Sequence, residues 1–427
     1  MKESIAGLFD FINAGPTGFH AVKNIQNALD AAGYEELQEK DIWKIRPGKA
    51  FYAVRGGSAL IAFRIPDTEA ESFRIMASHS DSPAFRLKPN AETQACGSYT
   101  MLNTEPYGGG IWHTWMDRPL SVAGRVIVQG KAGLEPRLVC LDRDLLIIPS
   151  LAIHMNRDVN KKLELNTQKD LLPLFGDAGA KGRLRTLIAQ NAGCREEDIL
   201  GEDLFLYSRV RPAVIGAQEE YICGPRLDDL ECVFGTLQGF LNAAETIDFS
   251  KHIPLYCVFD NEEVGSSTRQ GAASTFLADT LERIGIGLGY DREKYHRMIA
   301  ESFLVSADNA HALHPTAADK ADPVNRPAMN KGLVLKYSAN QRYTTDGMSA
   351  AVFHAVCRAA DVPVQDFSNR SDVPGGSTLG NISITKVPVA SVDIGLAQLA
   401  MHSACETAGA EDLDHMIRFS TKFFEGC

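Results

Sequence analysis

The chain has 427 residues and a formal net charge of −11, from 43 Lys and Arg against 54 Asp and Glu. This length exceeds one ordinary domain and predicts two domains, or one domain interrupted by another. The acidic balance argues against nucleic acid and anionic membranes as main partners. The nine cysteines include no CxxC pair, which fits reduced thiols in a cytoplasmic protein better than a disulfide framework or a thiolate zinc site.

The beginning of the chain, MKESIAGLFDFINAG, carries early acidic residues and lacks a long apolar core. No other stretch reaches the roughly 18 apolar residues that a membrane span requires. We therefore expect a soluble protein that is not exported and that resides in the cytoplasm.

The first section of the chain reads as a helix followed by strands. Residues 16–33 place Val22, Ile25 and Leu29 on one stripe, and Gly33 is a typical helix stop. Strands are predicted at residues 50–54, 58–64 and 73–78. The third strand is followed at once by His79 and Asp81, so a strand delivers polar residues at its carboxyl end.

From about Asn90 the sequence changes character. The segment YGGGIWHTW is rich in glycine and aromatic residues, and several short alternating strands follow without the long helices of a βαβ unit. A helix is predicted at 182–190, and further strands at 203–210 and 220–223. The sequence therefore predicts a β-rich domain over residues 90–222, inserted into a discontinuous domain of residues 1–89 and 223–427.

The remainder of the chain alternates between helices and strands. An apolar stripe after Asp228 predicts a helix that begins near this residue. Strands are predicted at 253–259, 303–307 and 387–393, and helices near 271–283, near 346–360 and at 412–424. This alternation is typical of the α/β class.

Five places combine a strand end or a helix start with His, Asp or Glu. They are His79 with Asp81, Asp228, Glu262 with Glu263, Asp308, and His402. Two imidazoles with several carboxylates and no cysteine suit zinc, manganese or cobalt at an open catalytic site. Either histidine alone would more often be a buried structural residue, so the prediction depends on the whole set.

The stretch IPLYCVFDNEEVGS is central to this set, because an apolar strand ends there in acidic residues. Glu262 and Glu263 would point to opposite faces of a regular strand, so both enter one cleft only if the backbone turns, which Gly265 permits. One carboxylate can then bind a metal while its neighbour accepts a proton from a metal-activated water. An isolated pair of glutamates would more often be a solvated loop.

Counting ligands indicates two metals. One shared carboxylate with two further ligands on each side would hold two ions about 3.5 to 4 Å apart. Asp228 is the natural bridge. Asp81, two residues after His79, can accept the imidazole N–H and fix its tautomer.

The sequence also resembles a known family. The motifs are HSDSP at 79–83, RLDDL at 226–230, DNEEVGS at 260–266, SADNAHALHP at 306–315, KYSANQRY at 336–343, GGSTLG at 375–380 and AMHS at 400–403. In this order they resemble the M18 metallo-aminopeptidases, the aspartyl aminopeptidase family, over essentially the whole chain. Pro119 and Gly375 depart from the eukaryotic aspartyl enzymes and indicate a bacterial branch.

The resemblance implies a fold and a metal site. The fold is a zinc-exopeptidase-like, three-layer αβα catalytic domain interrupted by a β-rich dimerisation domain. The implied ligands of two zinc ions are His79, Asp228, Glu263, Asp308 and His402, with Asp228 bridging. Glu262 becomes the general base, and the peptide bond between Asp228 and Asp229 is expected to be cis.

The resemblance also implies partners and a substrate pocket. Family members form tetrahedral dodecamers, and His154 in LAIHMNRDVN is expected to reach the partner subunit's active site and help hold the substrate carbonyl. Lys336 and Tyr343 are expected to line the pocket for the first side chain of a peptide with a free N-terminus, with His311 near the same wall. Without the family, Lys336 would be read as a surface lysine and His154 as an interface histidine.

The implied reaction is hydrolysis of the N-terminal residue, Asp or Glu in the leading hypothesis. Some family members prefer neutral residues, so a neutral-residue aminopeptidase is one alternative. A dinuclear metal deacylase or carboxypeptidase of similar core is a second. A self-assembling shell protein with a relict site is the alternative outside enzymes.

Overall fold

The structure is a computed structural model that describes residues 1–131, 133–245 and 251–426. The helices are α1 (Glu3–Ala14), α2 (Gly18–Ala31), α3 (Arg183–Ala192), α4 (Leu227–Asn242), α5 (Phe276–Gly287), α6 (Arg292–Ala300), α7 (Gly347–Ala359), α8 (Leu379–Ser383) and α9 (Asp412–Phe424). The strands in the first half are β1 (Glu35–Leu37), β2 (Ala50–Arg55), β3 (Ala59–Arg64), β4 (Ser72–His79), β5 (Ala84–Ala95), β6 (Tyr99–Tyr107), β7 (Leu120–Gly130), β8 (Gly133–Cys140), β9 (Leu174–Asp177), β10 (Ile199–Ser208), β11 (Ala213–Ile215) and β12 (Tyr221–Gly224). Those in the second half are β13 (His252–Phe259), β14 (Phe303–Ala307), β15 (Ala310–His311), β16 (Leu333–Tyr337), β17 (Val364–Ser368), β18 (Ala390–Gly395), β19 (Ala397–Leu399) and β20 (Glu406–Gly409).

These strands form three sheets. The largest has nine strands in the order β1-β2-β3-β13-β4-β14-β18-β16-β17, and its centre, β13-β4-β14-β18, is parallel. A six-stranded antiparallel sheet has the order β8-β7-β10-β5-β6-β9, and a five-stranded sheet has the order β11-β12-β20-β19-β15. The nine-stranded sheet therefore combines strands β1 to β4, which precede the six-stranded sheet in the sequence, with strands from β13 onwards, which follow it.

The nine-stranded sheet is buried between two layers of helices. Neighbouring residues along each strand point to opposite faces, as the period of a strand requires. Ile61 and Leu255 pack on one face with α5 and α6, and Ala62 and Tyr256 pack on the other with α1, α2, α4, α7 and α9. This arrangement confirms the predicted α/β class with a three-layer αβα domain interrupted by a β-rich one.

The six-stranded sheet has a core of its own. Phe85, Leu102, Val122 and Leu204 are buried there together with Leu184 of α3. Asn90 lies inside β5, so the change of sequence character falls within a strand. The predicted domain limits, 1–89 with 223–427 and 90–222, stay a prediction.

Most predicted elements lie close to their observed positions, and one helix needs correction. The helix predicted near 271–283 begins only at Phe276, because the chain turns tightly before it. A Cβ at Gly271 would lie 2.1 Å from the carbonyl oxygen of Ser266, so this close packing requires glycine. Several elements have no predicted counterpart, among them the helices α1, α6 and α8 and the strands β1, β11, β15, β16, β17, β19 and β20.

Two further observations concern the whole described chain. Of the cysteines, the eight within the described ranges are free thiols, and Cys427 lies outside those ranges. Among the helices of the described residues, none has both the length and the apolar character that crossing a membrane demands.

Candidate metal centre

The carboxyl ends of three parallel strands bring several candidate residues to one edge of the large sheet. His79, the last residue of β4, is paired in register with Phe259, the last residue of β13. Strand β14 lies on the other side of β4 and is followed directly by Asp308. Because ligands of open α/β sheets bind beyond the carboxyl ends of the strands, this edge is the expected place for chemistry.

The chain turns sharply after β13, as the sequence predicts. Residues Glu262–Val264 form a single 3-10 turn, flanked by Asn261 at φ 62° and Gly265 at φ 94°. The Asp81 carboxylate accepts hydrogen bonds from the backbone N–H of Glu262 (3.1 Å) and of Glu263 (3.2 Å). Asp81 therefore holds the turn that presents both glutamates.

Asp228 lies at a kink in the first turn of α4, where its φ and ψ of −81° and 108° are not helical. The peptide bond between Asp228 and Asp229 is cis, as expected. The backbone N–H of Asp228 donates to Oε2 of Glu406 (3.0 Å), and the Asp229 carboxylate accepts the backbone N–H of His79 (3.1 Å).

His402 lies in the loop between β19 and β20 of the five-stranded sheet. Its backbone N–H donates to Oε1 of Glu406 (2.6 Å), so one carboxylate holds both His402 and Asp228. Its Nδ1 lies 2.8 Å from the carbonyl oxygen of Gly109, and Nδ1 of His79 lies 3.1 Å from the carbonyl oxygen of Asp81. A carbonyl only accepts, so both rings carry a proton on Nδ1, and Nε2 is the nitrogen on which a metal could replace a proton.

Asp228 faces both imidazoles, one with each carboxylate oxygen. Its Oδ1 lies 3.4 Å from Nε2 of His79, and its Oδ2 lies 3.4 Å from Nε2 of His402. His402 Nε2 is also 3.3 Å from Oε2 of Glu263, and His79 Nε2 is 4.0 Å from Oδ1 of Asp308. The structure thus brings together all five candidate ligands in two groups that share Asp228.

These residues fit a bound metal. Potential ligand atoms lie within 4.8 Å of one another in three groups, one of His79, Asp228, Asp229 and Asp308, one of Asp228, Glu263 and His402, and one of His79, Glu262 and Glu263. Oδ1 of Asp228 and Oε1 of Glu263 are buried and have no hydrogen-bond partner among the described residues. Buried carboxylates are held by partners or by metals, and imidazole with carboxylate is a ligand set that suits zinc.

The electrostatics of the cluster are those of crowded, desolvated acids. Burial raises the pKa of Glu263 well above its usual value, with Asp228 adding to the effect. Burial also raises the pKa of Asp308, against the opposing charge of Lys336. Burial opposes the ionisation of Asp228, but its contacts with His402 and His79 outweigh that effect and hold its pKa below the usual value. A bound cation would relieve this crowding.

Glu262 belongs to one of the three groups, together with His79 and Glu263. Glu263 belongs to a second group as well, with Asp228 and His402. Burial raises the pKa of Glu262 to about 8, opposed by His79 and reinforced by Asp308. For the imidazole of His79, burial alone would lower the pKa, but the charge of Asp229 and contacts with Asp228 and Asp81 raise it well above 6.5.

Lys336 is buried rather than on the surface, with a relative exposure of 3%. It lies on β16, its Nζ donates to the carbonyl oxygen of Asn309 (2.8 Å), and it is 4.0 Å from Oδ1 of Asp308. The ring of Tyr343 lies 5.6 Å from the ammonium. His311 is exposed beside Phe367, with ring centroids 6.2 Å apart, along a cleft of about 320 Å³.

His154 is the predicted residue that lies apart from this cluster. It is exposed on the irregular segment between β8 and β9, and its neighbours Leu151, Ile153 and Met155 are exposed as well. None of the three groups of described residues that could hold a metal contains it.

Several residues that hold the candidate ligands in place were not predicted from the sequence. Glu406 and Asp229 bind backbone N–H groups of candidate ligands, and Tyr107 and Gly109 come from the β-rich domain. The acidic residue next to Asp228, and the glutamate four residues after His402, were visible signals. Tyr107 and Gly109 carried no signal beyond the glycine-rich character of YGGG.

Comparisons with known proteins agree with this geometry. The sequence profile described as "Aminopeptidase I zinc metalloprotease (M18)" matches residues 11–424. The chain is 46% identical over 425 residues to the "Probable M18 family aminopeptidase 2" of Clostridium novyi, covering 98% of this chain and 97% of the relative. It is 35% identical over 464 residues to the "Probable aspartyl aminopeptidase" of Ricinus communis, covering 98% and 94%.

The fold is likewise shared with a solved structure. The S. cerevisiae mApe1 dodecamer superposes with a TM-score of 0.87 at 25% identity, covering 99% of this chain and 96% of that one. The match of the profile over nearly the entire length, with relatives above 30% identity, shows the family. The chain belongs to the M18 family of zinc metalloproteases and is a metallo-aminopeptidase, a hydrolase that acts as an exopeptidase.

Proposed function

We propose that this protein removes a single N-terminal residue, Asp or Glu, from peptides at a dinuclear zinc centre. The supporting observation is the position of Asp228, whose two oxygens face the Nε2 atoms of His79 and His402 at 3.4 Å each. One zinc would be held by His79, Asp228 and Asp308, and the other by Asp228, Glu263 and His402. The ammonium of Lys336, 4.0 Å from Asp308, supports the preference for an acidic side chain because it could bind a carboxylate there.

Two zinc ions bound there would lower the pKa of a water between them and polarise the scissile carbonyl. Glu262 lies beside the ligands on the same turn as Glu263, and in this proposal it takes the proton from the attacking water. It then gives that proton to the leaving amine. Asp81 fixes the turn and the ring of His79, so it serves as a positioning residue for both.

The acidic preference depends on a buried cation in a protein that is acidic overall. Lys336 uses one of its three ammonium donors on Asn309, which leaves two for a substrate carboxylate. Tyr343 and His311 complete the proposed pocket, and the name of the Ricinus relative agrees with this preference. A neutral-residue aminopeptidase is the second candidate, because Lys336 is only 3% exposed and already hydrogen-bonded.

We further propose a homo-oligomer, a tetrahedral dodecamer, in which residues 90–222 form the dimerisation domain. The S. cerevisiae mApe1 structure, which shares this fold, is a dodecamer. Leu151, Ile153 and Met155 are 55%, 46% and 74% exposed, which suits a segment covered by a second subunit. In that assembly His154 would enter the partner subunit's site and help hold the substrate carbonyl. A cytoplasmic location completes this proposal.

The test is a hydrolysis assay on zinc-reconstituted protein with peptides that differ only in the N-terminal residue. Each peptide is supplied with a free amine and in N-acetylated form. We expect cleavage of the free-amine series only, fastest for Asp and Glu. Equal rates for Asp and Leu would refute the acidic preference, and cleavage of acetylated peptides would replace the aminopeptidase with a deacylase or carboxypeptidase.

A further inference from the structure

The loop that follows β6 in the β-rich domain contacts the metal centre of its own subunit. The backbone N–H of Ile111 donates to the carbonyl oxygen of His402 (2.9 Å), and the carbonyl oxygen of Gly109 lies 2.8 Å from His402 Nδ1. The hydroxyl of Thr114 accepts the backbone N–H of Ala404 (2.9 Å). Three hydrogen bonds from this loop therefore fix the segment that carries one candidate ligand.

Tyr107, the last residue of β6, contacts the other half of the centre. Its hydroxyl donates to Oδ2 of Asp81 (2.7 Å) and accepts from Nδ2 of Asn261 (2.8 Å). The same Asp81 carboxylate accepts the backbone N–H groups of Glu262 and Glu263. The hydroxyl of Tyr107 thus joins two residues, Asp81 and Asn261, that together determine where the turn with both glutamates lies.

The next residue makes this approach possible. Gly108 has a φ of 74°, and a Cβ added to it would lie 3.1 Å from Cβ and 3.3 Å from the carbonyl oxygen of Glu263. A side chain here would be strained by the backbone and would press on the turn. The loop and the turn are therefore packed backbone to backbone.

We propose that Tyr107 is a positioning residue, through which the β-rich domain orients the Glu262–Glu263 turn of its own subunit by holding Asp81 and Asn261. This inference deepens the proposed function and rests on it for the roles of the two glutamates. It gives the β-rich domain a task inside each subunit, separate from contacts between subunits. The task requires the hydroxyl, because it donates to Asp81 and accepts from Asn261 at once, whereas the ring without it can do neither.

Tyr107→Phe removes only this hydroxyl and keeps the ring, which packs edge-on against Phe205 with centroids 5.5 Å apart. Tyr207→Phe is the matched control. Tyr107 and Tyr207 both line one cavity of about 410 Å³. The hydroxyl of Tyr207, however, donates to the carbonyl oxygen of Leu141 within the β-rich domain. The two variants therefore lose the same group from the same domain, and only one loses it next to the turn.

The measurements are zinc affinity, by competition with a chromogenic chelator, and kcat and KM separately at saturating zinc. For Tyr107→Phe we expect zinc affinity or kcat to fall about 10-fold, the lower end of the about 10 to 100-fold effect of removing a direct partner of a metal ligand, because Tyr107 acts through Asp81 and Asn261; KM should stay within twofold. Tyr207→Phe should match the wild type within twofold in all three quantities. Wild-type values for Tyr107→Phe, or equal losses in both variants, would overturn the proposal.

The zinc titration separates this inference from the proposed function. It can be measured whether or not the protein cleaves peptides. An inactive wild type with weakened zinc binding in Tyr107→Phe would refute the proposed function and support the positioning role. An active wild type with an unaffected Tyr107→Phe variant would support the proposed function and refute the positioning role.

Discussion

Glu406 binds the backbone of two candidate ligands, His402 and Asp228, with one side chain. Its two carboxylate oxygens accept the backbone N–H groups of His402 (2.6 Å) and Asp228 (3.0 Å), and its side chain is 2% exposed. In Glu406→Gln the shape is kept, but one oxygen becomes an NH2 group that cannot accept. One of the two backbone N–H groups then loses its partner in a buried place.

The size of the effect follows from that single lost acceptor. A hydrogen bond to a charged group contributes about 1.5 to 3 kcal/mol, and about 1.4 kcal/mol corresponds to a tenfold change in an equilibrium constant. If the loss falls on the arrangement that binds metal, zinc affinity should fall about 10 to 100-fold. Burial, with the charge of Asp228 adding to it, raises the pKa of Glu406 to about 8, so the zinc assay is set above that pH, where the carboxylate form predominates.

The assay is chelator competition for zinc at pH 8.5, with Glu220→Gln as the control. The Glu220 carboxylate also accepts a backbone N–H, that of Gln218 (2.9 Å), but at an exposed site away from the centre. We expect the control to bind zinc like the wild type. Zinc affinity of Glu406→Gln within twofold of the control would show that Glu406 does not align the ligands.

Three further outcomes are expected. Glu262→Gln should lower kcat about 100-fold or more at full zinc content, because a general base contributes about 10² to 10⁴-fold; zinc loss in this variant would instead make Glu262 a ligand. Lys336→Met should lower kcat/KM for Asp peptides at least about tenfold more than for Leu peptides, since a charged hydrogen bond is lost, and a uniform decrease would count against a role in specificity. Burial, and then the charge of Arg226, lower the pKa of His20 to about 4. On lowering the pH, His20 is therefore protonated near pH 6.5 in the unfolded state but only near pH 4 in the folded state. The free energy of unfolding consequently falls by about 3 kcal/mol in all as the pH drops from 6.5 towards 4. His20→Gln should consequently show a smaller drop in Tm between pH 7 and pH 5 than the wild type, and identical drops would refute the assignment.

The parts of the fold that sequence predicts well are those with a local cause. The strand 303–307 and the helix 412–424 were predicted with the observed limits, because apolar periodicity and flanking polar residues determine them. The turn at Glu262 was predictable because Glu262 and Glu263 would point to opposite faces of a regular strand and can enter one cleft only if the backbone turns. The helix at Glu3–Ala14 was missed, although Ile5, Leu8 and Ile12 form a stripe that becomes buried.

The parts that sequence could not predict depend on contacts between distant segments. Lysine is usually a surface residue, but Lys336 is buried, where it donates to the carbonyl oxygen of Asn309 and lies 4.0 Å from the carboxylate of Asp308. Tyr107 lies 26 residues from Asp81 and 154 from Asn261, so neither hydrogen bond leaves a local pattern. Motif resemblance supplied the ligand set, whereas the residues that hold the ligands in place became visible only in three dimensions.

The candidate ligands are spread over about three quarters of the chain, from His79 to His402. During synthesis on the ribosome, the loop with His402 emerges only after all the other ligands, and β20 and α9 follow it. A nascent chain therefore cannot complete this set of candidate ligands before His402 has been synthesised, so binding of metal by the whole set is expected to be a late event. Metal bound by these residues would link five segments that are far apart in sequence, so we expect the protein to resist proteolysis longer when zinc is supplied than when it is withheld.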